Sequence, residues 1–364
     1  MIIKYEVILK IVVFILFLVF ALSFSIWPIL SGAFTVLKWA MLAFFVIISF
    51  FFGKNSSLQK NYSVLFYFGF VCTILISSIF KSGLNSSIFE YAFPFIFALV
   101  FYFVPKISLH KSNSKFILDE FLIFSKIVFL TFIPLIFFGK FYVMGRFCGW
   151  FQNTNIVAGL STLSVILIFY NIFIERKRNY KEFIFLLLFL LILLLTQSRG
   201  ALVSSIVGCV LIFLSNLKSL KSFVESIIML FILALGLILV IYNSNFSEII
   251  TFRELELGVR GEMIERQLNA FSSSPIIGVG VVEDENDPTS RLHSETSYTD
   301  ILSMGGILGV LFLIIAFILR IKTLDKKSLF AFLTILVMSF SEGYITGIGG
   351  IVSLIFYFIF ISGK

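Results

Sequence analysis

His293 is the residue best suited to proton transfer in this sequence, and it stands in the one long polar segment, residues 243–300. A neutral imidazole can take a proton from a hydroxyl group at neutral pH, and Glu295 or a backbone carbonyl can fix its tautomer. The alternative interpretation is an ordinary histidine at a membrane surface. The residues around His293 therefore allow both interpretations, a general base for a hydroxyl group and an interfacial histidine.

Arginines in and near the same segment supply positive charge for an anionic ligand. Arg260, Arg266 and Arg291 lie within it, and Arg199 lies in the turn Thr196–Gly200 between two apolar runs. That turn is too short to leave a membrane surface, and an arginine buried there is costly unless it is paired. The alternative for Arg199 is a side chain that reaches the lipid headgroups. We interpret Arg199 as a ligand-binding residue.

Arg260 and Arg266 are six residues apart on a predicted helix, Leu255–Phe271. Neighbours on one helix face are three or four residues apart, so these two side chains lie on different faces. At most one of them is expected to point into a shared site. For either, the alternative is a solvated side chain paired with a neighbouring glutamate.

The segment Gly149–Asn155 leads into another apolar run and carries groups that suit a sugar. Trp150 can stack on a sugar ring, and Asn153 and Asn155 can hydrogen-bond to its hydroxyls or cap the following helix. An aromatic side chain at the membrane interface, followed by an ordinary helix cap, explains the same residues.

The acidic run Glu283–Asp287 is the one candidate for a metal site. Asp284, Asn286 and Glu295 have the first, third and twelfth spacing of a calcium loop. Thr289, however, occupies the position where that loop needs glycine. A solvated acidic loop is therefore favoured, and we expect neither a metal nor another cofactor.

The composition of the whole chain places these residues in a membrane protein. Of the 364 residues, 59% are hydrophobic and 13% are charged, and the mean hydropathy is +1.08. Soluble domains carry about 25% charged residues. The apolar runs are continuous, and many approach the roughly 20 residues that a helix needs to cross a bilayer. The expected fold class is an all-α polytopic membrane protein.

About twelve transmembrane helices are predicted from the apolar runs and the polar breaks between them. They cover residues 8–30, 32–53, 63–80, 91–104, 121–138, 156–174, 183–197, 201–217, 223–242, 301–319, 328–340 and 349–362. The chain, 1–364, is expected to form a single integral membrane domain with one large extracytoplasmic loop at 243–300. The first run has the basic flank of a signal peptide but lacks a small-residue cleavage site, so we predict that it is retained.

Lysine and arginine positions set the orientation of these helices. With both termini cytoplasmic, the cytoplasmic side carries 18 of the 28 basic residues and the opposite side 8, and Lys38 and Lys126 lie inside helices. Basic residues in short loops stay in the cytoplasm, which supports this orientation. The net charge of +8 therefore reflects topology, and no nucleic acid is expected as a partner. Half of the outer basic residues lie in the 243–300 loop, which predicts an anionic ligand on that face.

Four segments in this order resemble the O-antigen polymerase and ligase superfamily, the Wzy/WaaL-like membrane glycosyltransferases of bacteria. They are Gly149–Asn155 with Ala158, Thr196–Ala201, Arg260 followed by Pro275–Gly280, and His293–Ser294 leading to Gly305–Gly309. Each motif is short, but the ordered set on a scaffold with many spans and one large outer loop is specific. The resemblance covers about the second half of the chain.

The resemblance implies a fold of the GT-C type in the bacterial inner membrane, with the active site facing the periplasm. It also implies metal-independent transfer of a glycan from an undecaprenyl-diphosphate-linked oligosaccharide, which is the expected partner together with the lipid bilayer. By position, His293 would be the general base on the acceptor hydroxyl, and Arg199 and Arg260 would hold the diphosphate. A chain-length regulator protein is a further candidate partner. The candidates for substrate binding are Arg291, Arg266, Asn153, Asn155, Trp150 and Glu295.

We expect an O-antigen or surface-polysaccharide polymerase, which moves the growing chain from its lipid carrier onto a new lipid-linked repeat unit. Two departures from the ligase pattern favour this choice. Glu295–Thr299 lengthens the step from His293 to the following glycine pair, and Ile264 replaces an aromatic residue. The alternatives are an O-antigen ligase that transfers the chain to lipid A core and, from another class, a lipid-linked oligosaccharide flippase or transporter. The single large loop and the absence of sequence repeats count against a transporter.

Overall fold

The structure is a computed structural model that describes residues 2–52, 62–82, 114–177, 179–215, 261–281, 283–284, 287–291, 296–347 and 350–361. Regular structure within these residues is mostly helical. The helices are α1 (Ile2–Leu22), α2 (Pro28–Phe52), α3 (Tyr62–Ser82), α4 (Ser114–Leu135), α5 (Thr154–Phe173), α6 (Tyr180–Leu195), α7 (Arg199–Ser215), α8 (261–273), α9 (Ser297–Ile321), α10 (Lys326–Met338) and α11 (Ile351–Ile361). Two antiparallel hairpins pair β1 (Tyr142–Val143) with β2 (Arg146–Phe147), and β3 (Glu283–Asp284) with β4 (Asp287–Arg291).

The chain divides into two compact units. The α5 unit comprises residues 1–31, 118–259 and 330–338, and the α9 unit comprises residues 32–117, 260–329 and 339–364.

Helix α5 is the core of the first unit, since 94% of its apolar length is buried. Small and hydroxylated residues allow α7 to approach α5 closely. They take little space, and their hydroxyl groups hydrogen-bond to backbone carbonyls. Thr162 Oγ1 donates to the carbonyl of Ala201 over 3.1 Å, and Ser205 Oγ lies 3.2 Å from Thr162 Oγ1. Ala158 packs against Leu193 and Ala201. The N-terminal ends of α5 and α7 are thereby held side by side.

Helices α3 and α9 form the frame of the second unit. Gly305 and Gly309 lie four residues apart on α9, and the ring of Phe70 on α3 lies next to both of them. Glycines at this spacing let two helices come close, as is common in membrane proteins.

Three helices in the described part of the chain are long and apolar enough to cross a membrane, namely Tyr62–Lys81, Thr154–Phe173 and Ser297–Ile321. The expected helical membrane protein is therefore confirmed in its class. The predicted spans 91–104 and 223–242 lie outside the described residues.

The first predicted span, 8–30, ends earlier than expected, because α1 stops at Leu22. The chain after it pairs with another segment instead of continuing the helix: Ile26 N–H donates to the Trp150 carbonyl over 2.9 Å, and Ser25 bridges to Phe151. Pro28 then begins α2, and a residue that precedes proline disfavours helical geometry. The break therefore has both a local and a long-range cause.

Candidate functional site

Arg146 connects two of the predicted ligand-binding segments in the α5 unit. It lies on β2, where its Nε donates to the Thr196 carbonyl over 3.0 Å and its Nη2 donates to Oδ1 of Asn155 over 2.9 Å. The fixed fork of a guanidinium suits a bridge between two acceptors. The turn that carries Arg199 is therefore held against the start of α5.

Arg199 is the first residue of α7, and its side chain is exposed. The turn before it is fixed: Gln197 has a φ of +52°, and Thr196 Oγ1 donates to the Leu193 carbonyl over 2.6 Å. Within the described residues Arg199 has no hydrogen-bond or ion-pair partner. A cation at a helix N-terminus faces the positive end of the helix dipole, so this position favours the arrival of an anion.

Asn153 and Trp150 have structural partners in the same region. The Asn153 side chain accepts from the Asn155 amide over 2.8 Å and caps α5, which confirms the predicted helix cap. The Trp150 indole N–H donates to Thr131 over 3.1 Å, and its ring stacks on Phe151 with centroids 4.2 Å apart. Trp150 is half-buried, so part of its ring is accessible to a sugar.

Tyr142 secures the hairpin that carries Arg146. Its hydroxyl donates to the Ile136 carbonyl over 2.9 Å, and its ring packs against Phe147 across the strand pair. Burial raises the pKa of the Tyr142 phenol, so the group stays a neutral hydrogen-bond donor well above neutral pH.

In the α9 unit a buried polar network joins three segments. Gln267 on α8 donates from Nε2 to Oδ1 of Asp300 over 3.3 Å, and Thr346 donates to Oδ2 of Asp300 over 3.2 Å. Ser303, one turn after Asp300 on α9, donates to Gln267 Oε1. All four side chains are buried, and this network fixes α8 against the start of α9.

Arg266 points away from that network, because its side chain is exposed whereas the next residue, Gln267, is buried. The described helix 261–273 agrees with the predicted helix Leu255–Phe271 over their shared residues. Sequence reasoning did not find Gln267 and Asp300. Asp300 stands directly before an apolar span, whereas Gln267 lies among polar and charged residues of the 243–300 segment. Neither position is distinctive in the sequence without the contact between them.

The Pro275–Gly280 motif and the glycine pair of α9 form one interlocked structure. Helix α9 is broken at Gly306, whose φ is +58° and ψ is −166°. The turn fills the break: the amides of Val279 and Gly280 donate to the Ser303 and Met304 carbonyls over 2.8 and 3.1 Å. In return, the Ile307 and Leu308 amides donate to the Pro275 and Ile276 carbonyls over 2.9 and 3.0 Å.

The residues just before the 282–295 segment belong to this interlock and are held against α9. The residue just after it, Thr296, is the cap of α9. Thr296 caps α9 by accepting from the Thr299 amide over 3.2 Å. Val281 is tied to α3 through its amide, which donates to Ser78 Oγ over 2.8 Å. Both ends of the segment with His293 are therefore anchored in the α9 unit.

The acidic run contributes to the β3–β4 hairpin, in which Glu283 pairs with Arg291 and Asp284 with Asp287. The Arg291 backbone belongs to β4. The remaining candidates, Arg260, His293 and Glu295, lie outside the described residues. Within the described ranges no group of three or more His, Cys, Asp or Glu side chains could hold a metal ion.

Residues 184–314 match the family model described as O-antigen ligase. The match runs from α6 into α9 and spans 131 of the 364 residues, so it includes Arg199, Gln267 and Asp300. The described helices are those of a helical membrane protein, and the members of the matching family are membrane glycosyltransferase-like enzymes. The resemblance to the O-antigen polymerase and ligase superfamily is confirmed over this segment. No curated protein matches the sequence.

Proposed function

We propose that this protein is a surface-polysaccharide polymerase that joins lipid-linked repeat units. It transfers the growing glycan from undecaprenyl diphosphate to the terminal sugar of a new unit that is itself lipid-linked. The observation that carries this proposal is the match of residues 184–314 to the O-antigen ligase family, which gives no support to a flippase.

In this mechanism His293 removes the proton from the acceptor hydroxyl as the hydroxyl oxygen attacks the anomeric carbon of the donor. The bond from that carbon to the diphosphate oxygen breaks, and Arg199 and Arg260 stabilise the negative charge that develops on the leaving diphosphate. The exposed guanidinium of Arg199 supports its role, because the side chain has no competing partner among the described residues. The mechanism uses no metal ion.

Substrate binding is assigned to side chains around these groups. Arg266 and Arg291 add positive charge in the α9 unit, and Glu295 follows His293 closely in the chain. Asn155 contributes through Arg146, which holds its amide oxygen and the Thr196 carbonyl together. Trp150 offers the accessible part of its ring to a sugar.

We further propose a GT-C-like architecture of about twelve spans in one integral domain, with both termini cytoplasmic and the 243–300 loop in the periplasm. The two ends of α5 support the orientation. Its N-terminal end carries Arg146 and Arg199, whereas its C-terminal end leads to the basic run Arg176–Lys181. Dense basic runs between spans stay in the cytoplasm. A chain-length regulator would meet such a polymerase in the same membrane.

The second candidate is an O-antigen ligase, which the description of the matching family favours. The residues between His293 and the glycine pair of α9 favour the polymerase instead. Ser297–Thr299 are already helical, because Thr296 caps α9. Part of this longer step therefore lies within α9.

The surface polysaccharide ladder of cells that carry His293→Ala at the wild-type protein level tests this proposal. We expect single repeat units on the lipid acceptor but no ladder. Long chains that accumulate on the carrier lipid would instead identify a ligase. An unchanged ladder would remove His293 as the base.

A further inference from the structure

The exposed face of α4 is apolar. In water the exposed face of a helix is polar, so an apolar exposed stripe at helical spacing marks a face that contacts lipid. The opposite face packs inside the α5 unit through Phe124, Val128 and Phe132, which are buried. Its exposed large apolar side chains are Ile123, Ile127, Leu130 and Ile133. Thr131 and Pro134 are exposed as well, and Thr131 returns its hydroxyl to the Val128 carbonyl over 2.6 Å, while the exposed Lys115 lies at the start of the helix.

This stripe continues beyond the end of α4 into the β1–β2 hairpin. Phe137 is 82% exposed, and Phe138 beside it is exposed as well. At the hairpin tip Val143 is exposed and Met144 is 84% exposed. Tyr142 and Phe147, on the other face of the hairpin, contact each other. The exposed hairpin side chains are thus as apolar as the lipid-facing stripe of α4.

The backbone at the tip gives a second, independent observation. Met144 and Gly145 are the two loop residues of the hairpin, with φ of +50° and +74°. Two-residue hairpin loops with positive φ at both positions favour asparagine, aspartate and glycine, so a methionine at the first position is strained. A large apolar side chain that is both strained and exposed does not stabilise the fold, so its presence is explained by a contact with something other than the protein itself.

We propose that the β1–β2 hairpin is a membrane anchor whose tip, Val143 and Met144, inserts into the lipid leaflet at the end of α4. The occupant is bilayer lipid, because the exposed apolar surface is continuous with the lipid-facing stripe of that helix. Lys140, exposed between them, reaches the headgroups.

The anchor has a consequence for the arginine turn. Arg146 lies on the anchored hairpin and holds the Thr196 carbonyl, so the hairpin sets the depth of Arg199 relative to the lipid surface. That consequence rests on the proposed function, in which Arg199 meets the diphosphate of a lipid carrier at the depth of the lipid headgroups. The anchor itself does not depend on it.

Spin labels in proteoliposomes test the anchor. A nitroxide at Met144→Cys is compared with Leu130→Cys on the exposed face of α4 and with Lys177→Cys in the exposed basic loop, all with Cys72→Ala. Cys148 and Cys209 are buried and stay unlabelled. The measured quantity is the ratio of collisions with oxygen to collisions with a water-soluble nickel complex at each label. At Met144→Cys we expect this ratio to be close to that at Leu130→Cys and several-fold higher than that at Lys177→Cys.

A ratio equal to that of Lys177→Cys would overturn the proposal. Low accessibility to both reagents with dipolar broadening would overturn it in favour of a second copy of the chain. Val143→Cys repeats the test if the label at Met144 prevents folding. Met144→Asp separates the two claims: a label at Val143 that leaves the lipid while glycan transfer is unchanged contradicts only the consequence for Arg199.

Discussion

At the residue scale, Arg199 combines an exposed side chain with a fixed main chain. The Thr196–Gly200 turn is held by Arg146 and by the cap-like bond of Thr196, so the main chain of Arg199 has a defined position. A charged donor on a fixed main chain loses only its side-chain freedom when an anion binds. This is the property that stabilisation of a leaving diphosphate requires.

Arg199→Ala is expected to reduce glycan transfer by about 100-fold, the typical loss when one donor to a developing charge is removed. Arg199→Lys should retain part of the activity, because a lysine keeps the charge but loses the planar fork. The rate of chain growth with purified protein measures both. Lys322→Ala, which removes an exposed cation at the end of α9, serves as the control and should be neutral. Equal activity of Arg199→Ala and Lys322→Ala would exclude the proposed role.

Asn153 has a clear structural task, and a matched variant can separate it from a role in binding. Asn153→Ala should lower the free energy of unfolding by about 1 kcal/mol, since the cap of α5 is lost. Asn179→Ala removes the corresponding cap of α6, where Asn179 accepts from Lys181 N–H over 3.2 Å. Thermal unfolding in detergent should show similar losses for both variants. If Asn153 also binds the substrate, transfer activity should fall only for Asn153→Ala. An equal fall in both variants would show that Asn153 acts only as a helix cap.

At the element scale, the interlock of the Pro275–Gly280 turn with the break in α9 explains why two distant motifs occur together. A Cβ on Gly278 would overlap the Met304 carbonyl, and one on Gly306 would overlap the Gly278 amide. Both glycines also have positive φ, at +74° and +58°. Each motif therefore requires the other, and together they anchor the segment that bears His293.

Gly278→Ala and Gly306→Ala should each destabilise the protein by about 3 kcal/mol or more, because the clash is with backbone and the φ is unfavourable. Gly32→Ala in α2 is the control, since a Cβ there meets nothing within 4 Å. The unfolding temperature in detergent and the yield of folded protein report the difference. A Gly306→Ala variant as stable as Gly32→Ala would refute the interlock.

The ion pair between α4 and α6 is a second contact between elements. Lys126 Nζ lies 2.6 Å from Glu182 Oε1, and both side chains are largely buried. Lys126→Met should therefore cost about 1–3 kcal/mol, because it leaves a carboxylate without its cation, and Lys126→Met with Glu182→Gln should recover part of that loss. Denaturation of the two single variants and the double variant measures the coupling. Strict additivity would show that the pair contributes no coupling.

At the scale of the whole molecule, the proposed orientation rests on the two ends of α5. The arginine turn and the hairpin lie at one end of α5, and the exposed side chain of Lys177 follows the other end. In cells, Asn153→Cys should react with a membrane-impermeant maleimide added outside, whereas Lys177→Cys should react only after the membrane is opened. The reverse pattern would invert the proposed topology.

The apolar runs were sufficient to predict a helical membrane protein, because each span satisfies its own backbone and needs only length and hydropathy. The short Thr196–Gly200 turn and the cap at Asn153 were predictable too, since both depend on neighbouring residues. The end of α1 at Leu22 was missed because the backbone at Ile26 pairs with Trp150 far along the chain. The Arg146 bridge and the Gln267–Asp300 contact were beyond reach for the same reason.

The most direct test of the polymerase is chain growth in liposomes that contain the purified protein and one undecaprenyl-diphosphate-linked repeat unit, with no lipid A core. We expect a ladder of lengthened lipid-linked glycans with the wild-type protein and none with His293→Ala. Transfer that begins only after lipid A core is added would contradict a polymerase and identify a ligase.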